Sequence, residues 1–214
     1  MNDRMKLLAG VLVFGSMWGF SEVIIGSQMH DMGLPSGAIM SGFFALTFLV
    51  VSRMTFKQPG MQLGMGLVAG GLRMFNPFMG CHLCSAIAIA AEAMIFEITW
   101  YKISSDTDYF KKPYMQASLG VVTAYVIFIG GYVITQILTP IAAGANFYAQ
   151  NLIVFMPKIL ASGLLPAIAG GIVLPILVLS KKMDLTLKDR LYYPVTLGIS
   201  ATCWLLVLGN FFIA

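Results

Sequence analysis

An all-α bundle of membrane-spanning helices is the architecture this sequence predicts, and three observations predict it. Hydrophobic residues make up 58% of the 214, and charged residues only 10%. A soluble domain carries about 25% charged residues, because even a well-filled core needs a polar skin; the apolar excess here must face lipid. Apolar stretches near 20 residues, the length that crosses a hydrocarbon core, recur along the whole chain. Finally, the basic residues alternate between the ends of these stretches. No stretch is left over for a soluble domain, so a single transmembrane domain over 1–214 is expected.

Seven spans are expected, at about 5–27, 34–53, 60–75, 80–101, 114–138, 157–180 and 191–213. Arg4 and Lys6 before an apolar run give the first span the look of a signal peptide, but the run from Leu7 to Ile25 is long and no small-residue cleavage site follows, so it reads as a retained helix. Gln58-Pro59-Gly60, Asn76-Pro77 and Thr139-Pro140 are turn signals that separate later spans. The third span is short. If it is re-entrant, the spans number six and the C-terminus changes side. Pro166 and Pro175 inside the sixth predict a bend, since proline removes a backbone donor.

Placing the N-terminus in the cytoplasm puts Arg4, Lys6, Arg53, Lys57, Lys102, Lys111, Lys112, Lys181, Lys182, Lys188 and Arg190 on the cytoplasmic side. Only Arg73 and Lys158 fall outside it. This positive-inside bias predicts a multi-pass protein with its N-terminus cytoplasmic and its C-terminus extracytoplasmic. It also accounts for the net charge of +4 without nucleic acid; the basic residues meet lipid headgroups.

Small residues let membrane helices approach closely. Gly15, Gly19 and Gly26 form a stripe on the first span, Gly60 and Gly64, and Gly66 and Gly70, do so on the third, and Gly-Gly pairs stand at 70–71, 130–131 and 170–171. Tight packing explains most of them.

Four charged residues sit where charge is costly, at least about 2.5 kcal/mol each on insertion scales: Glu22, Arg73, Glu92 and Glu97. Glu22 shares the glycine stripe of span one and is expected to pair with Arg73. Glu97 stands near the cytoplasmic end and reaches the interface. Glu92 is near the middle of span four, where a carboxyl pairs, protonates or lines a polar cavity. Cys81, Cys84, Ala88 and Glu92 fall on one helical stripe, which puts Glu92 about 12 Å below Cys84.

Cys81-His82-Leu83-Cys84 is the sharpest motif. Two thiols three apart bind one metal or form one disulfide, and a structural role is equally open. The motif is expected on the extracytoplasmic side, with Met29-His30-Asp31-Met32, Met74 and Met79 nearby. Thiolate and imidazole suit transition metals, so His30, Cys81, His82 and Cys84 are candidate metal ligands. Together with Glu22, Arg73 and Glu92 they are the candidate solute contacts. Ser85 follows Cys84, which excludes the covalent haem motif. No phosphate-binding loop of the G-x-x-x-x-G-K-[ST] type occurs, so no ATPase is expected in the chain. No catalytic triad is recognisable. Cys203 reads as a buried apolar residue.

Trp18-Gly19-Phe20-Ser21-Glu22 with Gly26, Pro35-Ser36-Gly37-Ala38-Ile39, Pro59-Gly60, and Ala91-Glu92 to Phe96-Glu97 resemble bacterial membrane proteins of the energy-coupling-factor transporter group. The resemblance covers the first half of the chain. It implies a small helical component that binds a vitamin or metal ion from outside, with membrane and ATPase partner subunits supplying the energy. Typical members have six helices, and the cobalt and nickel members use an N-terminal histidine that Met1-Asn2-Asp3 lacks.

Two function classes follow. One is a transport or solute-binding subunit that takes up a small solute or transition-metal ion, with Ile141–Met156 as an outer lid interrupted by Asn146, Gln150 and Asn151. The other is a membrane thiol–quinone redox protein using Cys81 and Cys84, similar to bacterial disulfide–quinone oxidoreductases, although Cys203 is the only further cysteine. A structural subunit of a membrane complex is the third reading.

Overall fold

The structure, a computed structural model, describes residues 3–76, 81–103, 110–142, 144, 149–180 and 189–213. Among these residues there are helices and no strand. The principal helices are α1 (Arg4–Asp31), α2 (Ser36–Thr55), α3 (Met61–Arg73), α4 (His82–Ile103), α5 (Pro113–Ala142), α6 (Leu152–Ser180) and α7 (Asp189–Ile213). All but α3 are long and apolar enough to cross a membrane. Their exposed faces are apolar; Ile168, Ile172 and Ile176 make one such stripe on α6. The chain is thus a multi-pass helical bundle that contacts lipid.

α3 is the shortest of these helices. Its 13 residues rise only about 20 Å, against a hydrocarbon core of about 30 Å. Its neighbours nevertheless show that it carries the chain from one face of the bundle to the other. At its start, the Gly60 and Leu63 amides donate to the Glu97 carboxylate near the end of α4. On the same face, Arg53 Nη2 at the end of α2 donates to the Tyr101 carbonyl at 3.2 Å. At the far end, Arg73 reaches the Glu22 carbonyl and Asn76 meets Ser27, high on α1. So α3 runs parallel to α1 and antiparallel to α4. Glu97, expected only to reach the interface, caps the first turn of α3, where helix amides lack internal partners.

The later helices continue the alternation. Trp100 Nε1 donates to Thr123 Oγ1 at 2.9 Å, and Gly131 lies against Glu92, so α5 runs antiparallel to α4. Gly163 faces Ile129 and Gly170 faces Gly120, so α6 returns. Tyr192 Oη donates to the Lys6 carbonyl, and Trp204 Nε1 to Ser16 Oγ, so α7 lies parallel to α1. Among the described residues the chain therefore passes between the two faces seven times. Arg4, Lys6, Arg53, Lys57, Lys111 and Lys112 gather at one face, while His30 and Cys81 stand at the other. Lys181, Lys182 and Lys188 lie outside the described residues.

Most of the small-residue stripes pack as their spacing predicts; Gly60 instead takes a left-handed conformation at the start of α3, and a Cβ on it or on Gly71 would meet no neighbouring helix. Gly15 packs on Met65 and Val68, and Gly19 on Ala69 and Leu72. The tightest contact is between α5 and α6, where a Cβ on Gly120 would stand 2.0 Å from the Gly170 carbonyl oxygen. The core between helices holds Trp18, Leu46, Leu49, Met61, Met65, Phe96 and Trp100, all essentially inaccessible to solvent. Pro166 is seated against Gly42 of α2, where any side chain would strike its Cα.

Two helices carry irregular turns that the sequence reading did not anticipate. α1 widens into a π-helix over Ser21–Ile25, and α2 does so over Met40–Ala45. Such widened turns shift the side-chain register within a helix and recur at functional sites.

Candidate functional site

Glu22 and Ser41 each lie in one of the π-helical turns, and near the middle of α4 Glu92 is only 5% exposed. Ser41 Oγ donates to Glu92 Oε1 at 2.5 Å. Gly131 of α5 makes room for this carboxyl: a Cβ there would stand 2.8 Å from Glu92 Cγ and 3.5 Å from Oε1. Glu22 lies within electrostatic reach of Glu92. Its own Oε1 accepts from Trp18 Nε1 at 3.2 Å.

The expected Glu22–Arg73 pairing takes a different form. Arg73 Nη1 donates to the main-chain carbonyl of Glu22 at 3.3 Å, while the carboxylate is turned to Trp18. The guanidinium remains an electrostatic partner of Glu22. Glu22 lies within the widened turn, where the hydrogen-bond ladder slips by one residue.

Above Glu92 a cavity of about 330 Å³ opens between α2, α4 and α5. Ser41 and Glu92 line it from α2 and α4, with Cys84, Ser85 and Ala88 further up α4. This is the stripe that the spacing of Cys84, Ala88 and Glu92 predicts. Phe128, Tyr132, Thr135 and Gln136 complete the wall from α5. Among the lining residues Glu92 is the one charged group.

A second cavity, about 630 Å³, shares Gly37, Ala38, Phe128 and Tyr132 with the first and so acts as its vestibule. His30, Phe155, Lys158 and Ser162 stand around it. Residues 149–156 of the expected lid thus begin a helix beside the vestibule. Asn146 and the side chains of Gln150 and Asn151 lie outside the described residues, as does Met79.

The candidate metal ligands are not gathered. Cys81 and Cys84 are joined in a disulfide, so neither offers a thiolate. His30 lies on the vestibule with Lys158 rather than with the cysteines. Among the described residues no group of three or more His, Cys, Asp or Glu is placed to hold a metal ion. Cys203 is buried and free, as expected.

Ser41, Phe128, Tyr132, Thr135 and Gln136 were not singled out in the sequence. Serine and threonine in an apolar helix commonly bond to their own backbone, as Thr135 does with the Gly131 carbonyl at 2.7 Å. Nothing local distinguishes Ser41, whose hydroxyl serves a carboxyl 51 positions away. Compared with known protein families, curated proteins and solved structures, the chain matches none.

Proposed function

We propose that this protein is a solute-binding component of membrane transport, and that its solute is a small organic molecule with a protonated amine. One observation carries the reading: a buried carboxyl, Glu92, stands at the floor of a cavity whose lining has no basic side chain. A carboxylate taken out of water is costly unless it is paired. Ser41 meets only part of that need, and a bound ammonium would meet the rest. Phe128 and Tyr132 add aromatic faces, which attract cations. Glu22 adds a second negative charge nearby, offset by Arg73. Ionisable groups at membrane depth mark solute paths by default.

On this reading the face that gathers the basic residues is cytoplasmic, following the positive-inside rule. The vestibule then opens to the extracytoplasmic side. The disulfide at that same face supports this orientation, since disulfides persist in oxidising compartments. The N-terminus is cytoplasmic and the C-terminus extracytoplasmic, in an inner membrane. The resemblance to energy-coupling-factor components extends the proposal to membrane and ATPase partner subunits.

Thermal-shift measurements on the detergent-purified protein test it, using matched primary amines, quaternary ammonium compounds, carboxylates and neutral alcohols. Ligand that binds the folded state raises its stability by an amount that grows with the logarithm of ligand concentration above Kd. Amines are expected to stabilise the protein, and Glu92→Gln to abolish the effect while keeping the Ser41 contact. Stabilisation by carboxylates or alcohols alone, or amine stabilisation unchanged in Glu92→Gln, would overturn it.

A further inference from the structure

We infer that Cys81 and Cys84 form an exchange-active disulfide, a redox couple at the rim of the cavity that trades electrons with thiols on its own face of the membrane. The inference does not depend on the solute reading.

Four features of the pair converge. The two sulfurs are bonded to each other. Cys81 is exposed, while Cys84 is partly covered and lines the cavity; an incoming thiolate therefore reaches Cys81 first. The Cys84 amide donates to Cys81 Sγ at 3.1 Å. Finally, Cys81 immediately precedes α4, a helix of 22 residues, and so lies at the positive end of its dipole. The last two features favour negative charge on Cys81 Sγ once the bond opens. A thiolate stabilised in this way is a good leaving group, and it shifts the couple toward the reduced form compared with an inert structural disulfide.

The exchange balances as follows. A thiolate of the reductant attacks Cys81 Sγ, the Cys81–Cys84 bond breaks, and Cys84 leaves as a thiolate that takes a proton from water. A second thiolate of the reductant attacks its own sulfur in the mixed disulfide and expels Cys81. Cys81 leaves as a thiolate, so the pair gains two electrons and one proton, and a second proton only when that thiolate is itself protonated by water; the reductant ends as a disulfide. The reverse sequence, from a disulfide oxidant, restores the bond.

The test uses the full chain in detergent with Cys203→Ser, which removes the remaining thiol. Protein is equilibrated in buffers of reduced and oxidised glutathione, quenched in acid, and its free thiols are counted by maleimide mass shift. The expected result is a reversible two-electron titration while the protein stays folded by size exclusion. Two further variants locate the attack. Cys81 in Cys84→Ser is expected to be alkylated about tenfold faster near neutral pH than Cys84 in Cys81→Ser, reflecting its larger thiolate fraction. A pair that stays oxidised in fully reduced glutathione, or that opens only when the protein unfolds, would overturn the inference. Equal alkylation rates would do the same. If either single variant fails to fold, the titration of the paired form decides.

Discussion

Gly131→Ala adds a single methyl group at the point where packing and the proposed site meet. The new Cβ would lie 2.8 Å from Glu92 Cγ and 3.4 Å from the Ala88 carbonyl oxygen. Two carbons rest at about 3.5–4.0 Å, so the Glu92 side chain must move by about an ångström. Moving it strains the hydrogen bond by which Ser41 holds Oε1 at 2.5 Å. Alanine gains up to about 1 kcal/mol over glycine in a helix. Against that stand about 1–3 kcal/mol for overpacking and about 1.5–3 kcal/mol for a hydrogen bond to a charged group. The balance is a loss of about 1.5–5 kcal/mol, together with weaker amine binding. Gly198→Ala is the control. It lies in α7 with nothing within 4 Å of its added Cβ, so only the helix-propensity gain applies. Reversible unfolding of both variants in mixed detergent, followed by tryptophan fluorescence, measures the two effects. A Gly131→Ala protein as stable as wild type, with amine binding intact, would refute the idea that Gly131 exists to seat Glu92.

Three more predictions follow from other contacts. Glu97→Ala removes the acceptor for the Gly60 and Leu63 amides, and a lost N-terminal cap costs about 1–2 kcal/mol; the same unfolding assay should show it, with Glu97→Gln intermediate. Thr123→Val leaves the buried Trp100 indole N–H without its acceptor, at about 1–3 kcal/mol, whereas Thr202→Val on the exposed side of α7 should be nearly silent. After mild reduction, a membrane-impermeant maleimide added to intact cells should label Cys81, while a cysteine introduced at Lys57 should label only in inverted vesicles; the opposite pattern would reverse the orientation.

Much of the architecture was legible in the chain itself. Lipid solvates apolar side chains but no backbone polar group, so long apolar segments must be helices, and their number and rough limits follow from length and hydropathy. Glycine spacing foretold close helix packing, because close approach needs small residues wherever helices meet, but not which helices meet. Cys84, Ala88 and Glu92 could be placed on one stripe because helical periodicity is a local property; Cys81, expected on it, precedes the helix and stays outside the cavity lining. Tertiary structure decided the rest. Whether α3 passes between the faces depends on Glu97, Ser27 and Glu22, which are far from it in sequence. The widened turns at Ser21–Ile25 and Met40–Ala45 break the very periodicity on which a sequence reading relies, so Ser41 could not be aimed at Glu92 beforehand. The disulfide was one of several outcomes the motif allowed, and only the positions of both sulfurs select it. Above all, the cavity over Glu92 belongs to α2, α4 and α5 together; composition and periodicity describe one helix at a time, and a cavity is a property of the space between three.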